Sequence, residues 1–324
     1  MNGINRRELL ALSLACAAAQ PLLAQTNYPN KTIRMIVPFA AGGSVDMMGR
    51  ALTAAISPVL GVPMVIENRG GAGGIPAVSI VASAPPDGHT LLVGSIGPVA
   101  IAPAVFSKVP FDPVKNLAPV ALIAKSPYLL VSSRHLPATN LRELIALMKQ
   151  KPGEFNFASA GAGGPDHLAA EQFKRMAGVD AKHIPFKGAA APLTEIGAGR
   201  IHFFFVSPLP AIPLVEAGLI RALAVTGSTR SAAMPNIPTV AETIPGYDVV
   251  GWYGMFAPGG TPPEIVNRLN QVFNTAIATP ELQGILRKAG LDPVALSAED
   301  FGKLVANDVQ VFGKLAREAG VTAD

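Results

Sequence analysis

From Thr32 to Gly320 the chain alternates short apolar runs with stretches of helical spacing. "TIRMIVPF" precedes "SVDMMGRALTAAISPVL", "PMVIENR" precedes "GGIPAVSIVASA", and "HTLLVGS" follows. The apolar runs are continuous rather than alternating, which predicts strands buried on both faces of a parallel sheet. The pattern is that of an α/β protein whose helices cover its sheets.

A second set follows the linked strands "LAPVALIAKSP" and "YLLVSSRH". Thr139 or Asn140 caps a helix whose Leu141, Leu144, Ile145 and Met148 share one face. "EFNFASA", "AKHIPF", "RIHFFFVS" and "LIRALAVTG" read as strands between helical stretches. After the strand "YDVVGWYGMFAP" come three helices, which need a sheet to cover. A chain of 324 residues exceeds one small core. Residues 126–245 therefore read as a second lobe inserted in a first, made of 25–125 plus 246–324. Hinges are expected near 124–128 and 245–250, with a ligand cleft where strand ends face each other.

Two loops mirror each other. "PFAAGGSVD" and "ASAGAGGPDH" each lead from a strand through glycines into a helix. The first N–H groups of a helix lack internal acceptors, so such a loop suits a phosphate or carboxylate. Ser44 and Ser159 can donate hydroxyls, and Asp46 and Asp166 can cap nearby N–H groups. Either loop alone also reads as an ordinary connection; one in each lobe points to a small anion pinched between them. Neither is a nucleotide motif: no G-x-x-x-x-G-K-[ST] occurs, and "GGAGG" at 70–74 lacks the G-x-G-x-x-G spacing.

The formal charge of +4 is mild and dispersed, which argues against nucleic acid as a partner. The N-terminus has a basic start, an apolar stretch from Leu9 to Ala19, and Leu22 and Ala24 at cleavage-site spacing. Residues 1–24 thus read as a signal peptide. Arg6 and Arg7 allow either a Sec or a twin-arginine route, with the periplasm as destination. The one cysteine, Cys16, lies in this leader, so the mature chain is expected to have no disulfide or cysteine metal site.

"IRMIVPFAAGGSVDMMGRAL", "VIENRGGAGGIPA", "PPDGHTLLVGS", "FDPVKNLAPVALIA", "HIPFKGAAAPLTEIGAGRI" and "IRALAVTGSTRSAAMPNIPTVAETIPGYDVVGWYGMFAPGGTP" together resemble the Bug family. These are the extracytoplasmic receptors of tripartite tricarboxylate transporters. The resemblance spans essentially the whole mature chain. It implies a type II periplasmic binding protein, two α/β lobes closing on a ligand, with permease subunits as partners, no cofactor and no enzyme activity. It further implies that loops 39–46 and 159–167 hold a ligand carboxylate. The residues carried over are Phe39, Gly42, Gly43, Ser44 and Asp46 from lobe one, and Ser159, Ala160, Gly163 and His167 from lobe two. Ser95 and Lys187 join them. The protein is expected to act as a monomer; a ligand-sensing receptor for a signalling partner is the alternative.

Two departures stand out. Relatives often read "VDLMFD" where this chain has "IHFFFVS", so His202 and Val206 replace two acids. In amino-acid-binding relatives a carboxylate there can meet the ligand's ammonium, so its loss argues against an amino acid. In the turn at 101–105, Ala102 stands where relatives often place asparagine. Catalysis has little support: no G-x-S-x-G occurs, and the five histidines have no metal-ligand spacing. A hydrolase would need a pair such as Ser159 with His167.

Overall fold

The computed structural model describes residues 28–42, 44–186 and 188–322. The leader, Gly43 and Lys187 fall outside them. The first sheet has six strands in the order β11-β4-β10-β3-β1-β2. These are β1 (Ile33–Val37), β2 (Met64–Asn68), β3 (Thr90–Ser95), β4 (Leu117–Pro127), β10 (Val250–Pro258) and β11 (Asp292–Pro293). The second has five, in the order β7-β6-β8-β5-β9: β5 (Leu129–Ser133), β6 (Asn156–Ser159), β7 (Lys182–Pro185), β8 (Phe203–Val206) and β9 (Ile220–Val225).

Both sheets are mixed, which corrects the expectation of parallel ones. β1 runs parallel to β2 and β3, but β10 is antiparallel to both β3 and β4. β5 opposes both of its neighbours, β8 and β9. A continuous apolar run reports burial on two faces and says nothing of strand direction. The burial itself is present: Ile36 and Leu92 join one core, and their neighbours Met35, Val37, Leu91 and Val93 join the other.

The first lobe carries α1 (Ser44–Leu60), α2 (Ile75–Ala82) and the short α3 (Ala102–Val105). The second carries α4 (Leu141–Gln150), α5 (Pro165–Ala177), α6 (Ala190–Gly197) and α7 (Pro208–Glu216). The chain then returns to the first sheet with α8 (Pro263–Ile277), α9 (Pro280–Lys288) and α10 (Ala298–Glu318). Asn140 supplies the α4 cap, its Oδ1 accepting the N–H of Glu143 at 3.0 Å, and Leu141, Leu144 and Met148 are buried. The segment expected as a turn at 101–105 is helical: a π-helical stretch, Gly97–Ile101, leads directly into α3. Pro98 and Pro103 hide it in the sequence, yet each stands early in its helical segment, where no N–H is required.

Two crossings join the lobes, and Thr226 ties them together. Its Oγ1 accepts the N–H of Tyr128 at 2.7 Å, its own N–H donates to Tyr128 O at 2.9 Å, and its carbonyl accepts from Val249 at 3.1 Å.

Candidate ligand cleft

Three strand-to-helix junctions, after β1, β3 and β6, open onto one cleft of 510 Å³ between the lobes. The hinge residues Ser126, Tyr128 and Tyr253 also line it, and Phe204 and Val206 line it from β8.

At the first junction, Asp46 is almost fully buried and organises the loop from within. Its Oδ2 accepts the Gly42 N–H and the Arg50 Nε–H, both at 2.9 Å, and its Oδ1 accepts Asn68 Nδ2 at 3.0 Å. The bonds from Arg50 and Gly42 hold this carboxyl well below the usual range. Asn68 also donates to Phe39 O at 3.0 Å, so the end of β2 braces the loop. The glycine run at 70–74 allows close packing here. Gly74, at φ 86°, leaves no room for a Cβ, which would lie 2.7 Å from Pro98 and 3.0 Å from Pro38.

At the third junction the loop after β6 is held by two side chains of α5. Asp166 Oδ2 accepts the N–H of Ala160, and the N–H groups of its own residue and of His167 lie close enough to favour its ionised form. His167 Nδ1 accepts the Gly163 N–H at 3.1 Å. Gly164 N–H donates to Gly161 O at 3.2 Å. The N–H groups of Gly161 and Ala162 meet no acceptor among the described residues, and both residues line the cleft.

Of the residues singled out in the sequence, Phe39, Ser95, Ala160 and Gly163 stand on the cleft wall. Gly42, Asp46, Ser159 and His167 do not line it and bond within the protein. Ser44 opens α1. Ser159 is fully buried, its Oγ 2.6 Å from His183 Nε2. The Ser159–His167 pair that a hydrolase would need is therefore absent: the serine meets another histidine, and His167 Nδ1 is engaged by Gly163. His202 also lies outside the cleft lining, with Nδ1 accepting the Asn156 N–H at 2.8 Å. Among the described residues no group of three or more His, Cys, Asp or Glu could hold a metal ion.

Sequence reasoning took Asp166 only as a helix cap. It is also the one charged side chain on the cleft wall among the described residues. Burial pushes its carboxyl up to about 6, against the pull of its three backbone donors. Tyr128 and Tyr253 share this hinge end of the cleft, and burial raises both phenols. No local pattern marks Asp166 as facing inward; the signal available was its place two residues into α5, beside a glycine loop.

The chain matches the model of the tripartite tricarboxylate transporter family receptor over residues 48–321. Protein BugT of Bordetella pertussis is 32% identical over 323 residues, covering 99% of each chain. The structure of Rhodopseudomonas palustris Rpa4515 with adipate is 35% identical, with a TM-score of 0.80 over 91% of this chain and 99% of that one. MatC (Rpa3494) of the same organism, with bound malate, is 32% identical, with a TM-score of 0.75 over 89% of this chain and 99% of that one. The chain thus belongs to the tripartite tricarboxylate transporter receptor family, whose members are periplasmic solute-binding proteins rather than enzymes.

Proposed function

We propose that this protein captures a small carboxylate in the cleft by lobe closure and delivers it to the permease subunits of a tripartite tricarboxylate-type transporter. The observation that carries this reading is the pair of N–H groups at Gly161 and Ala162, which have no acceptor among the described residues, on a strand-to-helix junction that lines the cleft. Backbone N–H donors in a loop leading into a helix, once lobe closure removes water from them, bind carboxylate oxygens through charge-assisted hydrogen bonds. The adipate and malate found in the two R. palustris relatives support the ligand class.

In this reading Phe39, Ser95, Ala160 and Gly163 touch the ligand, Gly43 and Ser44 belong to the first of the two loops, and Lys187 joins them from the segment that follows β7. Asp46, Ser159 and His167 act at one remove, by fixing the loops' shape, and Gly42 is tied to Asp46. Residues 1–24 direct export to the periplasm. Native mass spectrometry of freshly purified protein, followed by thermal denaturation with mono-, di- and tricarboxylates, tests the reading. A true ligand at a hundred times its dissociation constant adds about 2.7 kcal/mol of stability. A full panel with no shift in melting temperature overturns it.

A further inference from the structure

Capturing an anion in this cleft raises a charge problem, because the wall already carries a negative side chain. Asp166 is only 7% exposed, and its carboxylate accepts the N–H of Ala160, next to the Gly161 and Ala162 N–H groups that meet no acceptor among the described residues. An added Cβ on Gly164 would lie 2.5 Å from Asp166 Oδ1, so the carboxylate is packed against its own loop. Among the described residues, the titratable side chains around it bring no cation to the wall. Tyr128 comes from the β4–β5 crossing and Tyr253 from β10. On its own helix, the His167 ring turns to Gly163 and to His183 of β7, and Lys174 is paired with Glu171 at 2.9 Å.

Two carboxylates placed side by side in a water-poor site cannot both remain ionised at little cost. Building on the carboxylate reading above, we infer that Asp166 makes ligand capture proton-coupled: the cleft binds one carboxylate together with one proton, shared between the ligand and Asp166. The proton enters from solvent as the ligand enters and leaves with it. No covalent bond to carbon forms or breaks. Asp166 thereby becomes a ligand-contacting, specificity-determining residue that donates an O–H hydrogen bond, a role its cap geometry alone does not suggest. Burial against the hinge already raises this carboxyl, and a neighbouring anion raises it further.

Calorimetric titration measures this directly. The probe is the tightest binder among hexanoate, benzoate, malate and adipate, used in phosphate and in Tris at about pH 7. The difference in apparent enthalpy between the buffers gives the protons taken up. Close to one proton per ligand is expected, with the dissociation constant rising about tenfold per pH unit between roughly pH 7 and 8.5. Asp166→Asn is expected to remove the uptake and flatten the pH profile. Uptake near zero in the unmodified protein, or an unchanged slope in Asp166→Asn, overturns the inference. The proton count is read on the unmodified chain and does not depend on how well the variant folds. A carboxylate bound without proton uptake defeats this inference and leaves the carboxylate reading standing. If no probe binds anywhere between about pH 5.5 and 8.5, the carboxylate reading fails and this inference fails with it.

Discussion

His167 accepts the Gly163 N–H on its Nδ1 at 3.1 Å while its ring lies stacked 3.7 Å from that of His183. That bond needs a neutral ring with Nδ1 unprotonated. Burial lowers His167 to about 3, helped by His183 and Lys174, and burial with Lys174 lowers His183 to about 4. Both folded-state values lie below the ordinary 6.5. Their stabilisation is therefore full above 6.5 and is lost as pH falls through the folded values. Asp166 acts in the opposite sense. Its value is raised from 3.8 to about 6, so its contribution is full below 3.8 and lost as pH rises through 6. Between about pH 6 and 4 the unfolded chain holds these two imidazole protons against the one carboxyl proton held by the native state. The melting temperature should thus fall on acidification across this window, and His167→Asn with His183→Asn should flatten the fall. A scan of melting temperature against pH checks this; an unchanged slope in the double variant contradicts it.

Gly74 lets two of the three cleft loops approach each other. Alanine there must adopt a φ near 86° and press into Pro98 and Pro38. The left-handed backbone costs about 1 kcal/mol and the overpacking about 1–3 more. Gly61, at φ 71° with nothing within 4 Å of a Cβ, isolates the backbone cost. Gly74→Ala should therefore lose more stability in urea than Gly61→Ala. It alone should also weaken carboxylate binding, since Pro98 lines the cleft and Pro38 precedes Phe39. Equal losses in the two variants would show that the loops absorb the clash.

The alternation of strands and helices was legible in the sequence because apolar run length and cap residues such as Asn140 act locally. Strand direction was not, because β10 arrives from the other lobe and its residues carry no mark of orientation. The loop bearing "ASAGAGGPDH" was legible as a junction, but the facing of its side chains was not. Ser159 and His167 drew attention as polar residues beside glycines. Their partners are respectively His183, 24 positions along the chain, and a backbone N–H, so only the fold reveals that both are engaged. Asp166 shows the converse: a cap by spacing, it gains its charge role from burial against a hinge contributed by residues near 126 and 253.

Thr226 is fully buried at the point where the crossings meet. Valine keeps its shape and removes the Oγ1 that accepts the Tyr128 N–H at 2.7 Å. A buried N–H left without an acceptor costs about 1–3 kcal/mol. Thr226→Val should lower the urea midpoint accordingly, while Thr226→Ser, which keeps the acceptor, should lose less. If valine proves as stable as serine, water or a rearranged hinge satisfies Tyr128.

Val206 ends β8, is 1% exposed and lines the cleft. Val206→Asp places at this position the acid that the family resemblance leads one to expect, and adds a second buried carboxylate to a wall that already holds Asp166. Val206→Asn has nearly the same shape and polarity without the charge, so the difference between the two variants isolates electrostatics. At an effective dielectric constant of about 20, two charges roughly 8 Å apart interact by about 2 kcal/mol. Near neutral pH, Val206→Asp should bind a carboxylate probe roughly ten- to thirtyfold more weakly than Val206→Asn. The gap should close as pH falls and the new carboxyl protonates. Calorimetry on both variants across the pH range provides the measurement. Equal affinities at every pH would mean that position 206 lies too far from the bound anion to influence it.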